Sequence, residues 1–311
     1  MSASGSTARI DRTLTATREG TDALTARIET LIDPTFLTEM GWDPVSSVMF
    51  PPDGHRLVVR YVCRVEGCST TATGARRICK SCQSRLAELG LDDDGISSLP
   101  VSDRRSRGPG WCSVAGCGRE WVSAPVGICA AHLDQQESLG VSPAELLAHP
   151  LTVPLEACGN CQVASCPRQR RHPDGRYCAA HQIRLRSARR HSSSLDEGHW
   201  RRTEAPISVG GQVSLRGLEP LVVAQVLFGM QQRCRVEGVQ TKEADLRCVC
   251  DDLRRQLVGS VAELTIADNC SLGFTGLAHS LTAHARRALA TPDSEVAGDQ
   301  WDLAVFGHAG T

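Results

Sequence analysis

Between Cys63 and His181 the chain repeats one spacing three times, and this repeat limits the possible folds more than any other feature. The copies read Cys63-x4-Cys68-x10-Cys79-x2-Cys82, Cys112-x4-Cys117-x11-Cys129-x2-His132 and Cys161-x4-Cys166-x11-Cys178-x2-His181. Their first cysteines stand at 63, 112 and 161, a constant period of 49 residues that marks duplicated units. In two copies His replaces Cys at the same final position, which exchanges one zinc ligand for another.

Two ligands from a short turn and two from the entry to a helix make a closed tetrahedral set. The spacing therefore predicts three structural Zn²⁺ sites, with no coordination position left for water or substrate. The pair Cys158-x2-Cys161 offers a second way to build the third knuckle in place of Cys161-x4-Cys166; the repeat register favours Cys166. Each unit has about 21 residues between its outer ligands, too few to bury a sufficient apolar core alone, so metal binding should supply its folding free energy.

Fifteen cysteines would also suit a secreted disulfide scaffold, but Met1 to Ser6 opens no charged-then-apolar export segment. The longest apolar run, Leu221 to Met230, is about half of the ~20 residues that span a bilayer. The expectation is a soluble, cytoplasmic and nucleoid-associated protein with reduced thiols and no membrane contact.

The 311 residues divide into five expected regions. Residues 1–57 are an N-terminal helix and linker: 1–12 are Ser/Thr/Gly/Ala-rich, and Thr13 to Ile32 carries a helical apolar stripe that Asp33-Pro34 ends. Residues 58–100, 101–150 and 151–204 are the three zinc modules, the first entered by the β-prone run Leu57 to Val62. Asp92-Asp93-Asp94-Gly95, Arg104 to Gly110 and Pro150 to Pro154 read as linkers, so the modules look like separate beads.

Residues 205–311 form a helical domain. Pro220 opens a helix that is apolar all round, and Thr241 caps a second with Leu246, Val249, Cys250, Leu253 and Leu257 on one stripe. Ser260-x-x-Glu263 is a capping box for a short third helix, and Leu277, Leu281, His284, Ala285 and Ala288 give a fourth. The fold class is thus mainly α, with small zinc-ribbon or knuckle-like α+β modules: three tandem beads followed by an all-helical domain.

The net charge of −1 conceals a local excess. In the third bead and its tail, Arg168, Arg170, Arg171, Arg176, Arg184, Arg186, Arg189, Arg190, Arg201 and Arg202 face only Asp174, Asp196 and Glu197. GC-rich coding explains an overall preference for Arg over Lys. A cluster following zinc ligands is instead the electrostatic footprint of a phosphate backbone, and the first eight of these arginines are the candidate nucleic-acid contacts. Cys234, Cys248, Cys250 and Cys270 lack a ligand pattern and read as core or semi-buried thiols.

Further motifs carry a family resemblance. Phe36-Leu37-Thr38-Glu39-Met40-Gly41-Trp42-Asp43 precedes the cysteine units. Leu215-Arg216-Gly217-Leu218, Val226 to Arg233 and Leu246-Arg247-x4-Asp252-Leu253-Arg254-Arg255 follow them. Together they resemble the N-terminal region of large actinobacterial site-specific integrases of the tyrosine recombinase type. The resemblance implies DNA binding, with DNA integration and recombination as the setting. It also implies core-binding and catalytic domains carrying Arg, Lys, His-x-x-Arg and a Tyr nucleophile.

His284-x-x-Arg287 matches the His-x-x-Arg pair, yet tyrosine occurs only at 61 and 177, upstream and beside zinc ligands. The expectation is a DNA-binding protein that is not itself an enzyme, from a truncated or split recombinase whose catalytic subunit is a separate partner. A protein-interaction adaptor built on the same zinc modules is the alternative.

Overall fold

The computed structural model describes residues 18–52, 54–66, 68, 71–72, 76–92, 95, 110–121, 127–207, 211–267 and 271–290. Residues 1–17, most of the Arg104 to Gly110 linker, Asp93, Asp94 and Cys270 lie outside that set. The helices in chain order are α1 (Arg18–Thr30), α2 (Pro34–Glu39), α3 (Lys80–Glu88), α4 (Ala130–Leu139) and α5 (Pro143–Leu147). They continue with α6 (Ala179–His191), α7 (Glu197–Thr203), α8 (Pro220–Gln231), α9 (Glu243–Gln256) and α10 (Leu272–Leu289). Strands are two residues long, so the described chain is mainly helical with little sheet.

The chain divides into two compact units, Met1–Val59 with Gly217–Thr311, and Arg60–Arg216. The sequence reading kept the N-terminal segment apart from the C-terminal helices; in the structure both belong to one unit. The reason is apolar burial. Ile28 of α1 is fully buried beside Leu221 and Ala224 of α8 and Ala288 and Leu289 of α10. Phe36 and Met40 are equally buried. Polar contacts fix the docking: Asp33 N–H donates to Gln231 Oε1 at 2.6 Å, and Gln231 Nε2 donates to the Leu31 carbonyl at 2.9 Å. Arg235 pairs with Asp33 and Glu39 and lies over the Phe36 ring.

α8 is the centre of this unit, with nine residues buried, as expected of a helix apolar on every side. Gln225, which interrupts its apolar run, is buried too, but its Oε1 accepts the Val261 N–H at 2.7 Å and its Nε2 donates to Ser260 Oγ. A buried amide with its partners supplied in this way avoids the cost of an unpaired polar group. Gly229 lets α8 and α10 approach closely: a Cβ there would stand 2.7 Å from Leu281 Cδ2.

The capping-box segment forms a single 3₁₀ turn, Val261–Glu263, where an α-helix was expected. The unit also carries strand pairs: Trp42–Asp43 antiparallel to Val48–Met49, and Val58–Val59 parallel to Thr241–Lys242. The β-prone run at 57–62 is accounted for by the second pair and by the isolated bridge from Val62 to Thr71.

Arg60–Arg216 contains three separate apolar clusters, each including three buried cysteines of one bead. Every bead repeats one plan. An isolated antiparallel bridge (Val62 to Thr71, Trp111 to Glu120, Asn160 to Gln169) flanks the first two ligands, and a helix starts after the third.

Candidate metal centres

The third ligand of each bead, Cys79, Cys129 or Cys178, is the extended N-cap residue of α3, α4 or α6. The fourth ligand, three residues on, therefore sits within the first helical turn, facing back toward the knuckle. The knuckle itself is closed by a repeated turn: the Cys68, Cys117 and Cys166 N–H groups donate to the Val65, Val114 and Val163 carbonyls at 2.9–3.0 Å. A second repeated bond joins it to the helix approach, from Arg64, Ser113 and Gln162 N–H to the Arg77, Gly127 and Arg176 carbonyls. Val65, Val114 and Val163 are buried under the knuckles, and Ile78, Ile128 and Tyr177 are buried under the helix starts.

In each of the three sets the four ligand atoms lie within 4.8 Å of one another. Cys68 Sγ stands 3.8 Å from both Cys79 Sγ and Cys82 Sγ, and Cys166 Sγ stands 4.0 Å from Cys178 Sγ. His132 Nδ1 lies 3.2 and 3.3 Å from Cys112 and Cys129 Sγ; His181 Nδ1 lies 3.5 and 3.3 Å from Cys161 and Cys178 Sγ. A tetrahedron with Zn–S near 2.3 Å and Zn–N near 2.0 Å has S···S edges of about 3.8 Å and S···N edges of about 3.5 Å. The residues fit that ion.

The outer face of each histidine supports the same reading. His132 Nε2 is 3.0 Å from the Val153 carbonyl and His181 Nε2 is 3.1 Å from the Ala205 carbonyl. A carbonyl oxygen only accepts, so Nε2 is the donor and Nδ1 is the nitrogen that faces the sulfurs. The Cys79 and Cys129 N–H groups add donors toward Cys63 and Cys112 Sγ, at 3.3 and 3.4 Å.

Burial pushes the Cys129 thiol up to about 12 and raises Cys63 and Cys82 as well. Gathering the thiolates of one site around a single point calls for a compensating cation, so metal capture releases protons. We expect metal affinity to fall as pH falls from 8 to 5.5, by up to about three log units per pH unit at a three-cysteine site. Competition titration against a chelator of known pH dependence checks this; a flat profile would rule out coordination by thiolate.

Cys166 belongs to the third set and Cys158 does not. Cys158 is buried outside the ligand cluster. Cys234 and Cys250 are buried thiols and Cys248 is exposed.

The chain matches no family model, no curated protein and no solved structure.

The arginines of the third bead do not form one surface. Arg168 Nε pairs with Glu120 Oε2 at 3.1 Å, and Arg170 donates to the Cys158 and Gly175 carbonyls. Arg184 holds Glu204 at 2.8 Å and the Ala205 carbonyl, while Arg176 and Arg189 share Glu197. Arg171, Arg186 and Arg190 are exposed and make no ion pair among the described residues. Glu120 and Glu204, which lie beyond the stretch Arg168 to Arg202, consume part of the expected charge excess.

The sequence reading gave the third module, residues 151–204, a basic tail; in the structure α7 packs into the bead. Trp200 of α7 is buried, edge-on to Tyr177 at 5.4 Å and to the ligand His181 at 6.2 Å. Asp196, which accepts from the Gly198 and His199 N–H groups, is the helix-start signal that would have found it.

The His-x-x-Arg pair is split by its environment. His284 is buried, with Nε2 2.7 Å from Glu237 Oε1, while Arg287 is exposed. Tyr177 is buried and donates to Glu197 at 2.5 Å, and Tyr61 lies under Arg77.

The longest described helices include none apolar enough to cross a membrane.

Proposed function

We propose that the chain is a zinc-dependent DNA-binding protein: three tandem structural zinc beads accompanied by a helical domain. Its proposed role is that of the non-catalytic N-terminal region of a tyrosine-recombinase-type integrase. The observation that carries the DNA reading is the outer face of α6. Ile183, Arg186 and Arg190 follow at i, i+3 and i+7 and are exposed, so two cations without ion-pair partners among the described residues share one face. That helix starts at ligands Cys178 and His181, so the metal fixes its direction. Cations on a rigid helix suit a phosphate backbone, where each contact releases counterions and makes binding salt-dependent.

Duplex DNA retention should weaken steeply between low and moderate salt. R186A/R190A should reduce the salt slope by about 2, while R184A, whose side chain is held by Glu204, should change it little. Retention that is insensitive to salt, or unaffected by R186A/R190A, would defeat the reading.

Within it, the chain binds and a separate recombinase subunit cleaves. The split environments of His284 and Arg287 support that division; strand cleavage by the purified chain would overturn it.

One observation favours the adaptor alternative: Trp111 on the second bead is 64% exposed. Large exposed aromatics are enriched at protein interfaces. An adaptor would bind protein without the salt-dependent DNA retention.

A further inference from the structure

The segment Pro150 to Pro154 reads in the sequence as a linker, but its hydrogen bonds make it part of the second metal centre, and the residues after it lead directly into the third. The Val153 carbonyl accepts from His132, the last ligand of the second site, at 3.0 Å. Two residues on, the Leu155 carbonyl accepts the Gly118 N–H at 2.8 Å, next to ligand Cys117. The Glu156 carbonyl then accepts from Arg119 Nε at 2.8 Å. The chain runs on to Cys158, whose carbonyl accepts from Arg170 Nε at 2.7 Å, and then to Cys161, the first ligand of the third site.

A second set of bonds crosses directly between the beads. Glu120 accepts from Arg168 Nε at 3.1 Å and from the Gln169 N–H at 3.0 Å; Gln169 Nε2 donates to the Gly118 carbonyl at 2.9 Å. The Glu120 and Arg168 side chains are 12% and 20% exposed, so the pair is largely desolvated and its loss leaves a buried charge. Arg168 in turn presents its carbonyl to the Cys161 N–H at 2.8 Å. Glu120 and Gln169 occupy equivalent positions, each the far end of its bead's bridge. Each cross-bead bond thus lies close in sequence to a ligand on one side or the other.

We infer that the second and third beads are one two-ion module, in which metal bound at one site raises metal affinity at the other, while the first bead loads separately. A bead without metal loses the geometry that presents Glu120 or Arg168. The neighbouring site then loses its support, and folding in one bead is linked to binding in the other.

The inference rests on the zinc reading and is independent of DNA binding. The test uses the full chain carrying C63S/C82S, which leaves two sites, with one equivalent of zinc added and native mass spectrometry as readout. Independent equal sites would put about half the chains in the one-zinc form, and unequal independent sites would put more. Coupling of about tenfold lowers that fraction to about a quarter, with apo and two-zinc chains in excess. E120A should return it to about half while the total capacity stays at two ions. R168A removes the same ion pair from the other bead, carries the same expectation and serves if E120A does not fold. A one-zinc fraction of half or more in C63S/C82S itself overturns the coupling; a chain that takes up no zinc overturns the metal reading beneath it.

Discussion

Complete removal of metal with a strong chelator is expected to unfold the beads between residues 60 and 207 and to leave the helical unit folded. In the apolar cluster of the first bead the buried side chains beyond the ligands are Val65, Ile78 and Leu86. At about 2 kcal/mol each they fall far short of the ~1–2 kcal/mol that ordering each residue costs. A structural zinc adds about 10–16 kcal/mol, so its loss decides the state of the bead. The helical unit has no such dependence: Met230, Leu246, Leu253 and Leu281 are buried within its helices without metal ligands among them.

Limited proteolysis of the stripped protein should therefore cut within 60–207. The N-terminal piece should remain bound to the C-terminal piece, because Ile28 and Phe36 are held by non-covalent packing. Far-UV CD should show a partial loss of helix corresponding to α3 to α7. An unchanged CD spectrum and cleavage pattern after verified metal removal would show that the beads fold by apolar packing alone.

The ligands were legible because metal chemistry writes itself into spacing. A tetrahedral ion needs four soft donors at set intervals, and a threefold repeat excludes coincidence. The apolar helix at 220–231 and the stripe of α10 were legible for a similar reason, since burial imposes a period. What escaped depends on partners distant in sequence. The Val153 carbonyl reads as a linker atom until His132 is folded against it. Arg168 and Arg184 read as free cations until Glu120 and Glu204 meet them across 48 and 20 residues.

Two small helices had local signals. Ser142, Pro143 and Glu145 make a capping box with proline at the first helical position of α5, and Asp196 caps α7. Both segments are shorter than the apolar period needs to declare itself.

Phe36→Ala should destabilise the helical unit by about 3–5 kcal/mol, although residue 36 lies far from α8 and α10 in sequence. Its ring is 1% exposed, and the residues around it hold it from several directions. Asp33 caps α2, accepting the Thr35 N–H at 2.7 Å, and Arg235 grips Asp33, Thr35 and Glu39 while lying 5.7 Å from the ring centroid. Truncation removes the ring and leaves a cavity under a guanidinium that keeps its acidic partners, so the site has little freedom to collapse.

The measurement is urea unfolding of metal-stripped protein, where the remaining cooperative transition reports this unit. Val45→Ala is the control: Val45 is 91% exposed, and its truncation should change stability by no more than about 0.5 kcal/mol. A Phe36→Ala loss as small as that of Val45→Ala would mean that residues 18–59 do not contribute to the core of the C-terminal helices. A loss in the expected range makes the N-terminal segment a structural part of that unit, with the metal beads inserted into its sequence between Val59 and Gly217.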